Sequence, residues 1–139
     1  MITTVLSRYP TPPCAQLLGL DILEADAARG WVRIGFVATP EFCNATGAIQ
    51  GGLLSAMLDD TTGPAVLIAT NAELHPTTID MTVSFLASAR PGPLFGEARV
   101  LHLGKTIGFI EASLTDAHGA TIARATSSVR LRPMQKAPA

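Results

Sequence analysis

One segment constrains the fold of this chain more than any other: the run from Gly51 to Ile68, drawn as a helix, has almost no polar face. Its apolar residues are Leu53, Leu54, Ala56, Met57, Leu58, Ala65, Val66, Leu67 and Ile68. A helix that is apolar all round is buried all round. The rest of the 139 residues must therefore supply the surface that covers it, and a chain of this length suffices for one domain with its own core.

Most of the remaining chain alternates between apolar and polar residues, which is the period of a half-buried β-strand. The alternation occurs in "GWVRIGFVATP" before the helix and in four segments after it. The last two segments, Lys105 to Asp116 and Ala120 to Arg132, are joined by the hairpin signal "DAHG". Strands joined by short turns form an antiparallel sheet that buries one face. We therefore predict an α+β fold in the order strand, helix and four strands, with an antiparallel β-sheet wrapped around a long central α-helix.

The chain is predicted to form a single domain over residues 1–132. The tail at 133–139, "PMQKAPA", is small and contains proline, so we expect it to be loose. Near the start, Ala15 to Leu18 is expected to form a short helical turn that Gly19 ends in a left-handed conformation.

Composition excludes several classes of partner. Hydrophobic residues make up 47% of the chain and charged residues 15%, which suggests that identical subunits cover part of the surface. The net charge of −1 argues against a nucleic-acid partner. No secretory signal pattern and no apolar run of membrane-spanning length is present, so we expect a cytoplasmic protein with no membrane partner. Cys14, Cys43 and the histidines have no metal-ligand spacing, so neither a metal nor a cofactor is predicted, and both thiols are expected to be buried or half-buried.

Two adjacent acids, Asp59 and Asp60, lie within the apolar helix, where a carboxylate is costly to bury. In one interpretation they emerge at an edge or accept a local hydrogen bond from Thr61 or Thr62. In the other, one of them is a carboxylate in a dry cleft, where desolvation makes it a better base or nucleophile. Pro64 is expected to kink or break the helix, because it has no amide hydrogen for the Asp60 carbonyl.

The glycine pair Gly51-Gly52 marks the start of the helix. The first amides of a helix have no partner within it and suit an anion or a developing oxyanion. A plain tight turn into the helix is the alternative interpretation.

The stretch "NATGAIQGG", which begins at Asn44, is followed by Asp59 eight residues after Gly51. This pattern resembles the N-x-x-G-x-x-H-G-G…D signature of hotdog-fold acyl-CoA thioesterases of the phenylacetate-pathway (PaaI-like) group. The similarity covers most of the chain, from "AQLLGLDILEADAARGWVRI" to the strands in "ARPGPLFGEARVLHLGKTIGFIEASLTDAHGATIARATSSVRL". It implies a hotdog fold and hydrolysis of an acyl-CoA thioester to the free acid and CoA.

The resemblance assigns roles by position. Asp59 matches the catalytic carboxylate, which acts as general base on water or as nucleophile at the thioester carbonyl. Gly51 matches the helix-start amide that polarises this carbonyl, with Gly52 beside it as a substrate contact. Asn44 matches a polar residue that helps to place water or substrate, and Thr78 matches a hydroxyl position near the catalytic water.

Gln50 departs from the family pattern, which has His at this position. Glutamine donates a hydrogen bond to a carbonyl oxygen but cannot shuttle a proton, so the mechanism must depend on Asp59 and water, with Gln50 orienting the substrate. The same departure makes a non-catalytic acyl-CoA-binding protein the alternative. A hotdog dehydratase or hydratase is a third interpretation, disfavoured because no titrating His is near Asp59 in the sequence.

Helix geometry bears on assembly. Eight residues separate Gly51 from Asp59, which is about 12 Å along a helix at about 1.5 Å per residue. Both groups must lie within about 3 Å of the reacting atoms. One chain cannot do this. The resemblance implies a homodimer with two sites, each of which takes Gln50 and Gly51 from one subunit and Asp59 from the other, and we further expect a dimer of dimers. Lys105 and Thr106, in a turn before a strand, are candidates to hold the CoA phosphates. Phenylacetyl, hydroxybenzoyl and medium-chain aliphatic acyl groups are all compatible with the sequence.

Overall fold

The computed structural model describes residues 1–135 and consists of six β-strands and two α-helices. The elements are α1 (Pro13–Leu17), β1 (Asp21–Asp26), β2 (Trp31–Ala38), α2 (Gly51–Ala69), β3 (Leu74–Phe85), β4 (Gly92–Leu103), β5 (Ile107–Asp116) and β6 (Thr121–Pro133). Short 3-10 turns occur at Val5–Arg8 and Pro40–Phe42.

The six strands form one sheet in the order β1-β2-β4-β5-β6-β3, with every neighbouring pair antiparallel. The prediction of five strands missed β1. Its sequence, "DILEAD", carries three acids and buries only Ile22, because the strand lies at the edge of the sheet and has a bulge between Ile22 and Glu24. The other edge is β3, the strand that follows the long helix.

The long helix α2 packs on one face of this sheet, against strands β2 to β5 most of all. Its buried apolar side chains join those of the strands in a single core; the largest fully buried members are Phe36, Leu18, Ile34, Met57, Leu58, Leu94, Ile110 and Leu114. A sheet wrapped around a central helix is the hotdog fold, so the predicted α+β architecture is confirmed.

The interior of α2 differs from its prediction in two ways. The helix runs without a break through Pro64, so the expected break is wrong, and a kink there stays a prediction. It is also not buried on every side, because Gly52 and Asp59 are exposed. Thr61 and Thr62 donate to the main-chain carbonyls of Met57 (2.7 Å) and Asp59 (3.0 Å), and not to a carboxylate.

The ends of β5 and β6 were predicted to within two residues, and β6 extends one residue past 132, to Pro133. The Met134 amide then donates to the Glu73 carbonyl (2.9 Å), so the first part of the predicted tail is attached to the domain. Residues 136–139 of that tail lie outside the described residues. The left-handed Gly19 (φ +66°) ends the first helical turn as expected. Neither of the helices in the described range is long and apolar enough to cross a membrane.

Candidate active site

The start of α2 presents two main-chain amides without partners. Gln50 precedes the helix in an extended conformation (φ −60°, ψ 135°), and its carbonyl accepts hydrogen bonds from Leu53 (2.9 Å) and Leu54 (3.2 Å). The amides of Gly51 and Gly52 donate to no acceptor within residues 1–135. Because a helix start carries a partial positive charge, these amides can bind an anion or a polarised carbonyl oxygen.

Asn44 organises the loop that leads to this helix. Its side-chain Oδ1 accepts hydrogen bonds from the Thr46 amide (2.9 Å), the Thr46 hydroxyl (2.7 Å) and the Ala48 amide (3.2 Å). Arg90 donates to the Thr46 carbonyl (3.1 Å) and holds the same loop from outside. The Asn44 oxygen is thus occupied within the loop, and only its side-chain NH₂ group is available for the predicted contact with water or substrate.

Asp59 lies on the exposed side of α2 and is held by a residue of β3. The Thr78 hydroxyl donates to Asp59 Oδ1 at 2.7 Å. The sequence pattern assigned both residues to the site but did not predict that they are bonded to each other. One carboxylate oxygen is therefore oriented by a hydroxyl, and the other is left for a water or a substrate atom.

Asp60, the next residue, has a different environment. It is half-buried, and its one hydrogen-bond partner among the described side chains is the Cys14 thiol, whose sulfur lies 4.0 Å from Oδ2. Burial raises the pKa of Asp60, and the neighbouring Asp59 charge raises it further. Cys14 is exposed, contrary to expectation, and its pKa is raised by partial burial and by the Asp60 and Asp59 charges. The desolvated carboxylate expected from the sequence is therefore Asp60, whereas Asp59 is open to solvent in the single chain.

The other predicted residues lie around these elements. Gln50 is exposed at the helix start, and its side chain makes no hydrogen bond within the described part of the chain. Lys105 and Thr106 are exposed in the turn between β4 and β5, as predicted. Thr77 pairs with Arg130 on β6, and Arg130 pairs with Ile107 on β5. Ile107, which follows the turn, is thus about 10 Å from Thr77 across two strand spacings, and the turn is at the same end of the sheet as Thr78.

The two chemical groups of the site do not meet within one chain. Gly51 and Asp59 lie on one unbroken helix, so about 12 Å separates them along its axis.

Sequence reasoning also missed Phe85, whose ring packs against Gly51. Its only signal was its position at the apolar end of β3. No group of three His, Cys, Asp or Glu side chains within the described range is arranged to hold a metal ion.

Comparison with known proteins identifies the family. The thioesterase superfamily model matches residues 46–123, more than half of the chain. The phenylacetic acid degradation-related protein of Ralstonia eutropha JMP134 is 32% identical, and its structure aligns with a TM-score of 0.85 over 91% of this chain and 95% of that one. The PaaI protein from the E. coli phenylacetic acid degradation operon is 25% identical, with a TM-score of 0.76 over 88% and 87% of the two chains.

A human relative agrees with these matches. Acyl-coenzyme A thioesterase 13 of Homo sapiens is 31% identical over 91 residues, which are 65% of this chain and 64% of the human protein, just under two thirds of its length. The family predicted from the Asn44 to Asp59 pattern is therefore confirmed. The chain belongs to the thioesterase superfamily as a PaaI-like, hotdog-fold member, and it is a thioester hydrolase.

Proposed function

We propose that this protein hydrolyses an acyl-CoA thioester to the free acid and CoA, with Asp59 as general base and the Gly51 amide as the group that polarises the carbonyl. The observation that carries the assignment is the 2.7 Å hydrogen bond from Thr78 to Asp59 Oδ1. It orients an exposed carboxylate on the same helix whose first amides are free. The names of the relatives support acyl-CoA as the substrate class.

The chemistry follows from these groups. A water held by Asp59 Oδ2 loses its proton to the carboxylate as its oxygen attacks the thioester carbonyl carbon. The oxyanion of the tetrahedral intermediate accepts a hydrogen bond from the Gly51 amide, with Gly52 beside it. When the carbon–sulfur bond breaks, Asp59 returns the proton to the CoA thiolate. Gln50 donates a hydrogen bond to the substrate but takes no part in proton transfer.

Direct attack by Asp59 on the carbonyl is the second route, with a mixed anhydride as intermediate. Single-turnover hydrolysis in ¹⁸O-labelled water identifies the nucleophilic route in which water opens the anhydride at the Asp59 carbon. Label enters the Asp59 carboxylate only when Asp59 is the nucleophile and water then attacks the anhydride at the Asp59 carbon. A general base leaves Asp59 unlabelled and places the label in the acid released by the first turnover.

A shared site requires a second copy of the chain. In an antiparallel pair, Gln50 and Gly51 of one subunit meet Asp59 of the other, which removes the separation of about 12 Å within one helix. The exposed edge strand β3 supports this assembly, since it is twelve residues long and exposes Ile79 (58%). The dimer of dimers remains a prediction.

The CoA phosphates are assigned to Lys105 and Thr106. Lys105 is exposed and has no ion pair within residues 1–135, and Arg130 lies on the adjoining part of β6. Both cations are therefore available to a phosphate at the end of the sheet where Thr78 lies.

Thiol release from aryl and aliphatic acyl-CoAs tests the assignment. We expect wild type to turn over at least one member of the panel and Asp59→Asn to lose about 10²- to 10⁴-fold in kcat, because the variant cannot accept the proton. Thr78→Val, which removes only the orienting hydroxyl, should lose less.

Two outcomes would contradict the proposal. Full activity in Asp59→Asn removes the assigned base. Tight acyl-CoA binding by wild type without any turnover would instead favour the non-catalytic binder. A gain of activity in Gln50→His would then show that the absence of the family's His prevents turnover.

A further inference from the structure

A phenylalanine ring lies directly beside the first residue of α2. A Cβ atom added to Gly51 would be 3.3 Å from Cζ and 3.4 Å from Cε1 of Phe85. Phe85 is the last residue of β3, and the chain leaves the sheet at Leu86. The absence of a side chain at residue 51 therefore allows the ring to approach the helix backbone next to the free Gly51 amide.

This ring is not part of the core. Met81 and Val83, the two preceding apolar residues on its strand face, pack against the core cluster, whereas Phe85 is 53% exposed and the following Leu86 is 58% exposed. Full burial of a phenylalanine side chain would stabilise the folded state by about 1.5–3 kcal/mol, and a half-exposed ring gains only part of this stabilisation. The folded chain thus keeps a large apolar side chain beside the first residue of α2 and partly exposed to solvent.

We propose that Phe85 is a positioning residue of the active site: its ring forms the apolar wall beside the Gly51 amide and packs against the apolar groups that flank the thioester carbonyl. This inference rests on the proposed function. The wall has two effects. It excludes water from the hydrogen bond between the amide and the carbonyl oxygen, which strengthens that bond, and it fixes the direction from which the carbonyl approaches.

The test compares four proteins: wild type, Phe85→Ala, Phe85→Tyr and the control Phe109→Ala. Phe109 is also a half-exposed phenylalanine (47%), but it alternates with the buried Gly108 and Ile110 and so lies on the outer face of the sheet, away from α2. We measure kcat and KM for the best acyl-CoA, and the oligomeric state of each protein by sedimentation.

Phe85→Ala is expected to lose about tenfold or more in kcat/KM, mostly in kcat, because a positioning wall acts on the reacting geometry more than on affinity. Phe85→Tyr keeps the ring and should keep most of the wild-type rate. The kcat/KM of Phe109→Ala should stay within about twofold of wild type. All four proteins should keep the same oligomeric state.

Three results would overturn the inference: no more loss in Phe85→Ala than in Phe109→Ala, a change in KM alone, or a loss that tracks dissociation of the oligomer. Failure of the proposed function is recognised separately, by absent turnover in wild type or by full activity in Asp59→Asn. Turnover that needs Asp59 but not Phe85 would reject only the role of Phe85.

Discussion

At the scale of single residues, the two adjacent acids of α2 divide between two environments. Asp59 is exposed and bonded to the Thr78 hydroxyl, whereas Asp60 is half-buried with the Cys14 thiol as its neighbour. Adjacent helix residues point about 100° apart, so one turns toward β3 and the other toward the N-terminal segment. This separation supports Asp59 as the reacting carboxylate. Burial of the ionised Asp60 destabilises the folded protein.

The raised pKa of Asp60 predicts how stability depends on pH. Below 3.8, the ordinary pKa of an Asp carboxyl, Asp60 is protonated in both the folded and the unfolded chain and does not make stability depend on pH. As pH rises through that value, the unfolded chain releases its proton first, so the native state loses stability relative to the unfolded state. Asp60→Asn removes this loss. Urea unfolding should therefore show the variant more stable than wild type at pH 7, with the difference disappearing near about pH 3.

The opposite result has a clear meaning. If Asp60→Asn is instead less stable than wild type, and its deficit in the free energy of unfolding grows as pH rises from about 3 to 7, the ionised Asp60 makes favourable contacts in the folded protein. Burial would then not dominate its energetics.

At the scale of elements, the position of α2 on the sheet depends on a close approach to β4. A Cβ atom added to Gly96 would collide with Oγ1 of Thr61, which is fully buried, and would lie 3.1 Å from the Phe36 ring. Only glycine at residue 96 allows the helix to pack this closely against the strand.

Gly96→Ala should therefore destabilise the domain by about 1–3 kcal/mol, measured as a lower urea midpoint, because a methyl group overpacks the interface between helix and sheet. Gly35→Ala is the matched control on the neighbouring strand β2, where the nearest atom is Leu23 Cδ1 at an ordinary 3.4 Å. Equal stability of the two variants would mean that the interface relaxes without cost and that this contact does not position the helix.

The elements with a strong pattern could be predicted from the sequence. The long apolar run and the alternating segments predicted α2 and five strands, and the spacing from Asn44 to Asp59 predicted the family. The edge strand β1 could not be predicted in this way, since its acids mask a single buried Ile22. The contact of Phe85 with Gly51 is also invisible in the sequence, because the two residues lie far apart in the chain and meet only when β3 pairs with β6 and packs beside α2.

At the scale of the whole molecule, α2 carries both groups of the candidate site, Gly51 and Asp59, and holds them apart. Gly51 and Asp59 cannot act on one carbonyl within a single chain, and the long edge strand β3 exposes apolar residues beside both. The two-fold dimer proposed above would relate identical surfaces and bring the start of one helix to the middle of the other. Catalysis would then depend on assembly, and neither subunit would be active alone.

Subunit complementation tests this shared site most directly. Gly51→Pro deletes the amide hydrogen, and proline suits the first helical position after the extended Gln50 (ψ 135°). Gly51→Ala is its control, because it adds a comparable contact with Phe85 but keeps the amide. Gly51→Pro and Asp59→Asn are each expected to be inactive as homodimers, whereas Gly51→Ala, which crowds the Phe85 ring but keeps the amide, should retain part of the activity.

We would mix the two inactive proteins in equal amounts, unfold and refold them together, and measure acyl-CoA hydrolysis. Random pairing makes half of the dimers heterodimers, and each of these has one intact site, so about a quarter of wild-type activity is predicted. A mixture that forms heterodimers and stays as inactive as its parents would contradict the shared site.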